Sequence, residues 1–257
     1  MFSFLKNVIV TAGEICVREQ QLFTRSEVDF KGRKDLVTVV DKKVEHFIVE
    51  QIQTTWPSHG IFGEETGRTN LSSDYLWIID PIDGTTSYVH QQPFYSVSIA
   101  LQHLGKTICG AVYLPALNEL FFADSTSGAF LNQQSIKVSS TDLLVNSVMA
   151  TGFACLRAGR EHNNLHYLGT ILPDLRDIRR CGSAAMDLCY VACGRFDGFW
   201  EMALNLYDVA AGAFIVQQAG GIVTDFHGSN TFPDNGIIAS NPALHHKLLP
   251  YFTEKKS

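Results

Sequence analysis

Two carboxylates stand three positions apart after an apolar run, and their spacing suits metal chemistry. Asp80 and Asp83 belong to D-P-I-D-G-T-T, which follows the aromatic and β-branched residues 75–79. Such a run predicts a buried strand, so both acids are expected at a strand end. Carboxylate oxygens suit Mg²⁺, and Gly84 lets a backbone N–H approach a phosphate. The segment therefore predicts a metal-assisted phosphate site, with a surface turn as the alternative because D-P and D-G are ordinary turn dipeptides.

Four further acids lie beside apolar residues at the edges of expected helices and strands, where an acid is poorly placed merely to increase solubility. Glu64 and Glu65 belong to F-G-E-E-T-G, shortly before the predicted strand. Asp41 and Asp208 are each predicted at the start of a helix. Taken alone, Asp41 could simply complement a helix dipole. Together with the strand-end pair, the four acids favour a metal site.

Several segments match known motifs in order along the chain: G-E-E at 63–65, D-P-I-D-G-T-T at 80–86, R-R-C-G-S-A-A at 179–185, Y-D-V-A-A-G at 207–212 and A-G-G at 219–221. On these residues, nearly the whole chain resembles the inositol monophosphatase family, part of a larger group of Mg²⁺-dependent, lithium-sensitive phosphatases that includes the fructose bisphosphatases. Tyr207 stands where the family motif usually has tryptophan. The resemblance implies an α-β-α-β-α five-layered sandwich and a homodimer.

The resemblance also implies two or three Mg²⁺ ions in a site between the two halves of the chain. It places the first ion on Glu64, Asp80 and the carbonyl oxygen of Ile82. It places the second on Asp80, Asp83 and Asp208, so that Asp80 bridges the two ions. Glu64 is further expected to help hold a third ion through water.

The catalytic residues that the resemblance implies are Asp41, Glu64 and Thr85. Asp41 is expected to accept a hydrogen bond from the Thr85 hydroxyl, which orients the attacking water and helps to remove its proton. Attack is expected to be direct, without a phosphoenzyme. From position alone, Thr85 is a turn or capping hydroxyl, and it can serve both roles.

The substrate-binding residues that the resemblance implies are Gly84, Thr85, Gly182, Ser183, Ala184 and Glu201. The first two offer backbone N–H groups to the phosphate, and Glu201 accepts hydrogen bonds from ring hydroxyls. Glu201 could instead be only a strand-end acid. Arg179 is a candidate contact for a second anionic group, with a surface strand cation as the equal alternative.

Composition fits a globular enzyme of 257 residues. A net charge of −6 argues against a nucleic-acid surface, which is usually basic. The six cysteines include no C-x-x-C pair, and Cys189 and Cys193 are predicted to be buried thiols. Without a clear secretory signal or a run long enough to span a membrane, a cytoplasmic location is expected. The adjacent His245 and His246 are predicted at the surface.

The order of elements predicts a mixed α+β or layered α/β chain, divided near residue 145 into halves 1–145 and 146–257 of one catalytic unit. An amphipathic first helix is expected, followed by a polar stretch to about residue 34. Further helices are predicted at 42–54, 161–171, 183–193, 208–219 and 242–252. Strands are predicted at 75–80, 95–102, 107–113, 119–123, 128–131, 147–151, 177–180, 198–201, 221–225 and 236–239.

The function favoured by these observations is Mg²⁺-dependent hydrolysis of a small phosphorylated polyol or sugar, first of all a myo-inositol phosphate. Related phosphatases acting on fructose 1,6-bisphosphate or histidinol phosphate are alternatives, because pocket residues choose among substrates on a shared fold. A non-catalytic binding protein is the more distant alternative, which the complete set of acids disfavours.

Overall fold

The structure, a computed structural model, describes the backbone of residues 2–22 and 30–253 and the side chains of residues 3–22 and 39–253. In that part of the chain the helices are α1 (Phe2–Gln21), α2 (Phe30–Thr55), α3 (Thr85–Val89), α4 (Ala154–Arg157), α5 (Asn164–Ile171), α6 (Ala184–Ala192), α7 (Leu206–Gln218), α8 (Pro242–Leu248) and α9 (Pro250–Thr253). The strands are β1 (Gly60–Gly63), β2 (Gly67–Thr69), β3 (Tyr75–Asp83), β4 (Ser96–His103), β5 (Lys106–Leu114), β6 (Glu119–Asp124), β7 (Gly128–Leu131), β8 (Gln134–Ser135), β9 (Val148–Thr151), β10 (Asp177–Arg179), β11 (Gly198–Glu201), β12 (Ile222–Thr224) and β13 (Ile237–Ser240).

These elements form five alternating layers. Helices α1 and α2 pack on the first sheet, whose strand order is β2-β1-β3-β4-β5-β6-β7-β8. Helices α6 and α7 fill the space between this sheet and the second, ordered β10-β9-β11-β13-β12. Helices α5, α8 and α9 share an apolar cluster on the far face of the second sheet. The five-layered α-β-α-β-α sandwich is thereby confirmed.

The first sheet is antiparallel apart from the parallel pair β1 and β3. The predicted meander is confirmed in β4 to β7. In the second sheet β9 lies parallel to both β10 and β11, while β13 is antiparallel to its two neighbours. All strands of the first sheet precede residue 136, and all strands of the second follow residue 147. A domain boundary near residue 145 stays a prediction.

The central layer is thin because small residues line it. A Cβ added at Gly110 of β5 would lie 3.1 Å from the Cα of Ala211 in α7. A Cβ added at Gly212 would lie 2.8 Å from the Leu188 Cβ in α6. Helix α7 therefore packs closely against both the sheet and α6, and this fixes its first turn beside the end of β3.

Several predicted boundaries were wrong. Helix α2 begins at Phe30 and not near residue 42, so Asp41 lies inside the helix and cannot be a helix-start acid. The predicted helix 242–252 is two helices, because Pro250 has no N–H to continue the ladder of α8. Strands β1, β2 and β8 and helices α3 and α4 were not predicted, and each is at most five residues long. Part of the predicted polar stretch, residues 23–29, lies outside the described residues.

Two predictions about side-chain burial also need correction. His245 is buried, and its ring nitrogens lie 3.0 Å from the Ser240 and Thr224 hydroxyls, so only His246 is a surface residue. Cys189 is buried as predicted, but Cys193 is only partly buried. No described helix is long and apolar enough to cross a membrane.

Candidate active site

The end of β3 carries the paired acids into a bulge. Asp80 pairs with Ser98 of β4 and Asp83 pairs with Ser96, so β3 holds one extra residue between these pairs. Bulges of this kind turn side chains away from the regular strand alternation. Asp80 is buried, and its Oδ1 accepts a hydrogen bond from the Ile82 N–H at 3.1 Å. The bulge therefore lets both acids face the same side of the sheet edge.

Asp80, Asp83 and Asp208 form a compact acidic cluster. One carboxylate oxygen from each lies within 4.8 Å of the others. Glu64, which directly follows β1, lies within hydrogen-bonding reach of Asp80. The parallel pairing of β1 with β3 brings Glu64 beside the bulge, and the first turn of α7 brings Asp208.

Hydrogen-bond donors at two helix starts orient the cluster. Asp83 Oδ2 accepts hydrogen bonds from the Ser183 hydroxyl and the Ala185 N–H, both at 2.7 Å, at the beginning of α6. Asp208 is the third residue of α7, and its Oδ2 accepts a hydrogen bond from the Asn205 N–H at 2.5 Å in a capping box. The predicted helix start at Asp208 is confirmed.

The acids of the cluster resist ionisation together. Burial, followed by the charge of Asp208, raises the pKa of Asp83 to about 7. Burial raises the pKa of Asp208 and the pKa of Glu64 to about 7 as well. The pKa of Asp80 lies well above its ordinary range because of burial and the charge of Asp83. A bound cation would offset this repulsion, and so the cluster has the electrostatics of a metal site.

Glu45 supports the loop that carries Glu64, and the sequence analysis missed it. Its side chain is fully buried in α2 and accepts hydrogen bonds from the Glu65 N–H at 3.0 Å and the Thr66 N–H at 2.6 Å. The sequence did offer a signal for Glu45, because it lies four residues after Asp41 and residues four apart share one face of a helix.

Asp41 reaches the cluster from the middle of α2. It is 6% exposed, and its Oδ1 has no hydrogen-bond partner among the described residues. Burial and then the charges of Glu64 and Glu65 raise the pKa of Asp41 to about 8. The expected hydrogen bond from Thr85 is not formed, because the Thr85 hydroxyl donates to the Ile82 carbonyl oxygen at 3.2 Å.

A cleft of about 650 Å³ opens over the cluster. The predicted site residues that line it are Asp41, Glu64, Asp80, Ile82, Asp83, Gly84, Thr85, Gly182, Ala184, Glu201 and Asp208. Ser183 is the exception: it is fully buried, its hydroxyl lies 3.1 Å from that of Ser96, and it contacts Asp83 instead of the cleft. The Ser183 side chain therefore supports Asp83, and a substrate contact at Ser183 stays a prediction.

Gly84 occupies a position that excludes a side chain. Its φ is +93°, a conformation that L residues rarely adopt, and it directly precedes α3. An added Cβ would lie 2.6 Å from the Phe94 carbonyl oxygen. The turn therefore needs glycine at this point of the cleft.

Three further polar residues line the cleft, and the sequence analysis did not select them. They are Arg157, Arg180 and Asp187, which line the cleft together with Glu201. Arg179 instead forms an exposed ion pair with Asp177 at 2.6 Å, as its surface alternative predicted. On a short strand adjacent side chains point to opposite faces, and the sequence could not say which arginine faces the cleft.

Tyr207 occupies the position of the family tryptophan at the edge of the cleft. Its ring packs edge-on against Phe62 at 5.7 Å between centroids. The Arg68 guanidinium lies 4.3 Å from the centre of the Phe62 ring. Tyr207 therefore forms an aromatic contact between α7 and β1.

Comparison with known proteins extends the likeness over the chain. The sequence model of the inositol monophosphatase family matches residues 1–257. Inositol-1-monophosphatase of Mesorhizobium japonicum is 38% identical over 253 residues, covering 96% of this chain and 95% of that protein. Nus factor SuhB of Pseudomonas aeruginosa is 40% identical over 246 residues, covering 93% of this chain and 90% of that protein. The solved structure of extragenic suppressor protein suhB from Bartonella henselae aligns with a TM-score of 0.87 at 36% identity, over 98% of this chain and 99% of that chain.

Proposed function

The chain belongs to the inositol monophosphatase family, and we propose that it is a Mg²⁺-dependent phosphate monoester hydrolase with myo-inositol monophosphate as its first candidate substrate. One observation carries the proposal: Asp80, Asp83 and Asp208 bring carboxylate oxygens within 4.8 Å of one another, at the base of a cleft large enough for a phosphorylated polyol. A cluster of acids alone is common, but here it coincides with the phosphatase motifs of a whole-length family match.

The donor set fits Mg²⁺. All side chains of the cluster offer carboxylate oxygens, which hard divalent cations prefer over sulfur or imidazole. Asp80, Asp83, Asp208 and Glu64 would hold the ions, together with the Ile82 carbonyl oxygen. When bound there, Mg²⁺ would lower the pKa of a water molecule and neutralise charge on the leaving oxygen.

The residues of the chain would orient the attacking water. The Thr85 hydroxyl donates to the Ile82 carbonyl oxygen, so its oxygen still has lone pairs to accept a hydrogen bond from water. The unpartnered Oδ1 of Asp41 can accept a second hydrogen bond from the same water. Burial raises the pKa of Asp41 to about 8, which suits a group that takes up a proton near neutral pH. Asp41 is therefore the proposed general base.

The phosphate and the polyol would bind at neighbouring places. Gly84 directly precedes α3 and Thr85 is its first residue, and N–H groups at a helix start lack intrahelical acceptors and can donate to phosphate oxygens. Glu201, at the end of β11, accepts a hydrogen bond from the Ala154 N–H at 3.0 Å through Oε1. Its Oε2 remains for a substrate hydroxyl.

Phosphate release from a substrate panel tests the proposal. The panel comprises myo-inositol 1-phosphate, fructose 1,6-bisphosphate, histidinol phosphate and a nucleotide 3′-phosphate, each with Mg²⁺ or with EDTA. We expect Mg²⁺-dependent release, greatest for the inositol phosphate and reduced about 10²-fold or more in Asp208→Asn. Release that is unaffected by EDTA, or by Asp208→Asn in a folded protein, would refute it. Release from none of the panel would favour the non-catalytic alternative.

A further inference from the structure

Asn164 is fully buried at the beginning of α5, next to the strand end that faces Glu201. Its Nδ2 donates to the Gly152 carbonyl oxygen at 2.5 Å and to the Thr151 hydroxyl at 2.8 Å. Both acceptors lie at the end of β9. One side chain therefore ties this strand end to the outer helix layer.

The Asn164 side chain takes part in this network only as a donor. The Gly152 carbonyl oxygen can only accept, and the Thr151 hydroxyl uses its single hydrogen to bond the Trp200 carbonyl oxygen at 2.6 Å. Both groups must therefore accept from Asn164, and this fixes the orientation of the amide. The Asn164 Oδ1 has no hydrogen-bond partner among the described residues. An aspartate at this position would turn a carboxylate oxygen toward both acceptors.

The network reaches Glu201 through the ends of two strands. Thr151 pairs with Trp200 in the ladder between β9 and β11, and Glu201 is the next residue of β11. Gly152 lies directly against the Glu201 side chain, since a Cβ added there would overlap the carboxylate. A shift of the end of β9 would therefore move the surface on which this carboxylate rests.

Helix α4 provides a second connection between Asn164 and Glu201. The Asn164 N–H donates to the Cys155 Sγ at 3.3 Å. The neighbouring Ala154 N–H donates to the Glu201 Oε1 at 3.0 Å. Asn164 thus holds both the backbone that lies against the carboxylate and the short helix that bonds it.

A buried asparagine can serve merely to satisfy backbone groups at a strand end. The distribution of its partners favours a more specific role for Asn164. Each of the three residues that it bonds either lies against Glu201 or is the sequence neighbour of a residue that does. The network therefore converges on one side chain of the cleft.

From these contacts we infer that Asn164 is a positioning residue for Glu201, and that it makes the cleft select polyol phosphates over phosphate esters without ring hydroxyls. It fixes where the carboxylate meets a substrate hydroxyl, although Asn164 itself does not line the cleft. A misplacement of about 1 Å caused far from the reacting atoms can cost about 10²-fold in rate. The inference rests on the proposed hydrolase function, within which Glu201 contacts the polyol, and it specifies what holds that contact in place.

Substrate selectivity tests the role of Asn164. The selectivity is the ratio of kcat/KM for myo-inositol 1-phosphate to kcat/KM for 4-nitrophenyl phosphate, which has no ring hydroxyls. Because both substrates carry a phosphate, the ratio cancels the general effect of an added charge. Asn164→Asp should lower the ratio by about tenfold, mainly through KM, which is the scale of one hydrogen bond to a carboxylate. Thr151→Val removes only one connection and should lower it by about threefold.

Asn163→Asp is the matched control, because it is the same substitution one position earlier. The Asn163 Nδ2 also donates to two backbone carbonyl oxygens, those of Arg160 and Glu161, and an aspartate can still cap α5. This variant should leave the ratio unchanged, and circular dichroism checks that all variants fold. If Asn164→Asp does not fold, Thr151→Val decides alone. An unchanged ratio in the folded variants, or an equal fall in the control, would overturn the positioning role.

A double-mutant cycle separates positioning from a general structural effect. If Asn164 acts through Glu201, Asn164→Asp and Thr151→Val should change the ratio little once Glu201→Ala has removed the carboxylate. An undiminished fall in the Glu201→Ala background would show that the network acts on the cleft by another route, and would contradict the inference.

Binding measurements keep the positioning role separate from the hydrolase proposal. Calorimetry with Thr85→Ala and Mg²⁺ compares the affinities for the same two ligands under slow turnover. A loss of affinity in Asn164→Asp that is confined to myo-inositol 1-phosphate supports the positioning role even if no phosphate is released, in which case only the hydrolase proposal fails. Equal losses for both ligands overturn the positioning role even if hydrolysis proceeds.

Discussion

Gly152→Ala should impair use of polyol substrates by moving Glu201. Gly152 directly follows β9 and lines the cleft, and its φ is outside the left-handed region, so the backbone itself tolerates alanine. A Cβ at this position would overlap both carboxylate oxygens of Glu201. Non-bonded carbon and oxygen atoms need about 3.5 Å, so the carboxylate must shift by roughly 1 Å.

The shift has a calculable consequence. Glu201 is 6% exposed and bonded to the Ala154 N–H, so it cannot swing into solvent without losing that bond. Losing one hydrogen bond between the carboxylate and a substrate hydroxyl costs about 1.5–3 kcal/mol, which is roughly a ten- to hundredfold loss in kcat/KM. A smaller loss is expected on 4-nitrophenyl phosphate, which has no polyol hydroxyls.

The assay compares kcat/KM for myo-inositol 1-phosphate and 4-nitrophenyl phosphate in Gly152→Ala and in Gly169→Ala. Gly169 lies in α5 with no atom near its hypothetical Cβ, so alanine there should leave both activities intact and stabilise the helix by about 0.5–1 kcal/mol. Circular dichroism and thermal melts check that both variants fold. An equal fall on the two substrates, or no fall on either, would refute the role given to Glu201.

Four further outcomes are expected. Asp83→Asn should weaken Mg²⁺ binding in calorimetry and remove most activity. In EDTA this variant should melt no lower than wild type, because the substitution relieves repulsion among the clustered carboxylates. A fully retained Mg²⁺ affinity would contradict the metal assignment. Asp41→Asn and Thr85→Ala should each lower kcat by about 10²-fold. If both groups act on one water, the loss of kcat in the double variant should be smaller than the product of the two single losses. Glu45→Gln should lower the free energy of unfolding in urea by about 1.5–3 kcal/mol, because it removes a charged acceptor of two backbone N–H groups, whereas Glu50→Gln on the exposed face of α2 should change little. The pKa of Asp83 is raised to about 7, above an unfolded value of about 3.9, so the folded protein holds this proton more tightly. In EDTA-treated protein this group should therefore lower the free energy of unfolding by about 1.4 kcal/mol per pH unit between about pH 5 and 7, and its stabilising effect should be kept below that range. Urea melts in which EDTA-treated protein gains stability as pH rises through this range would contradict the reasoning.

The sequence by itself determined the segments that carry chemistry. The D-P-I-D-G-T-T run after a β-branched strand, the acid at the start of α7 and the alternation of elements in the second half all depend on neighbours within a few residues. Local spacing and backbone propensity govern such features, so the candidate acids and a mixed α/β chain could be predicted from the residues, whereas the five-layered sandwich and the assignment of acids to individual ions came from the family resemblance. Boundaries were less accurate, as the early start of α2 shows.

Only the tertiary structure decided how distant residues share the site. Ser183 bonds Asp83 across 100 positions of sequence, and Glu45 bonds the loop after β1 across 20. Nothing local distinguishes Arg179, which pairs with a strand neighbour, from Arg180, which faces the cleft. Packing of the helix layers against the two sheets sets these distances and directions, and the energy that selects them comes from burial of the layers as a whole and not from any short segment.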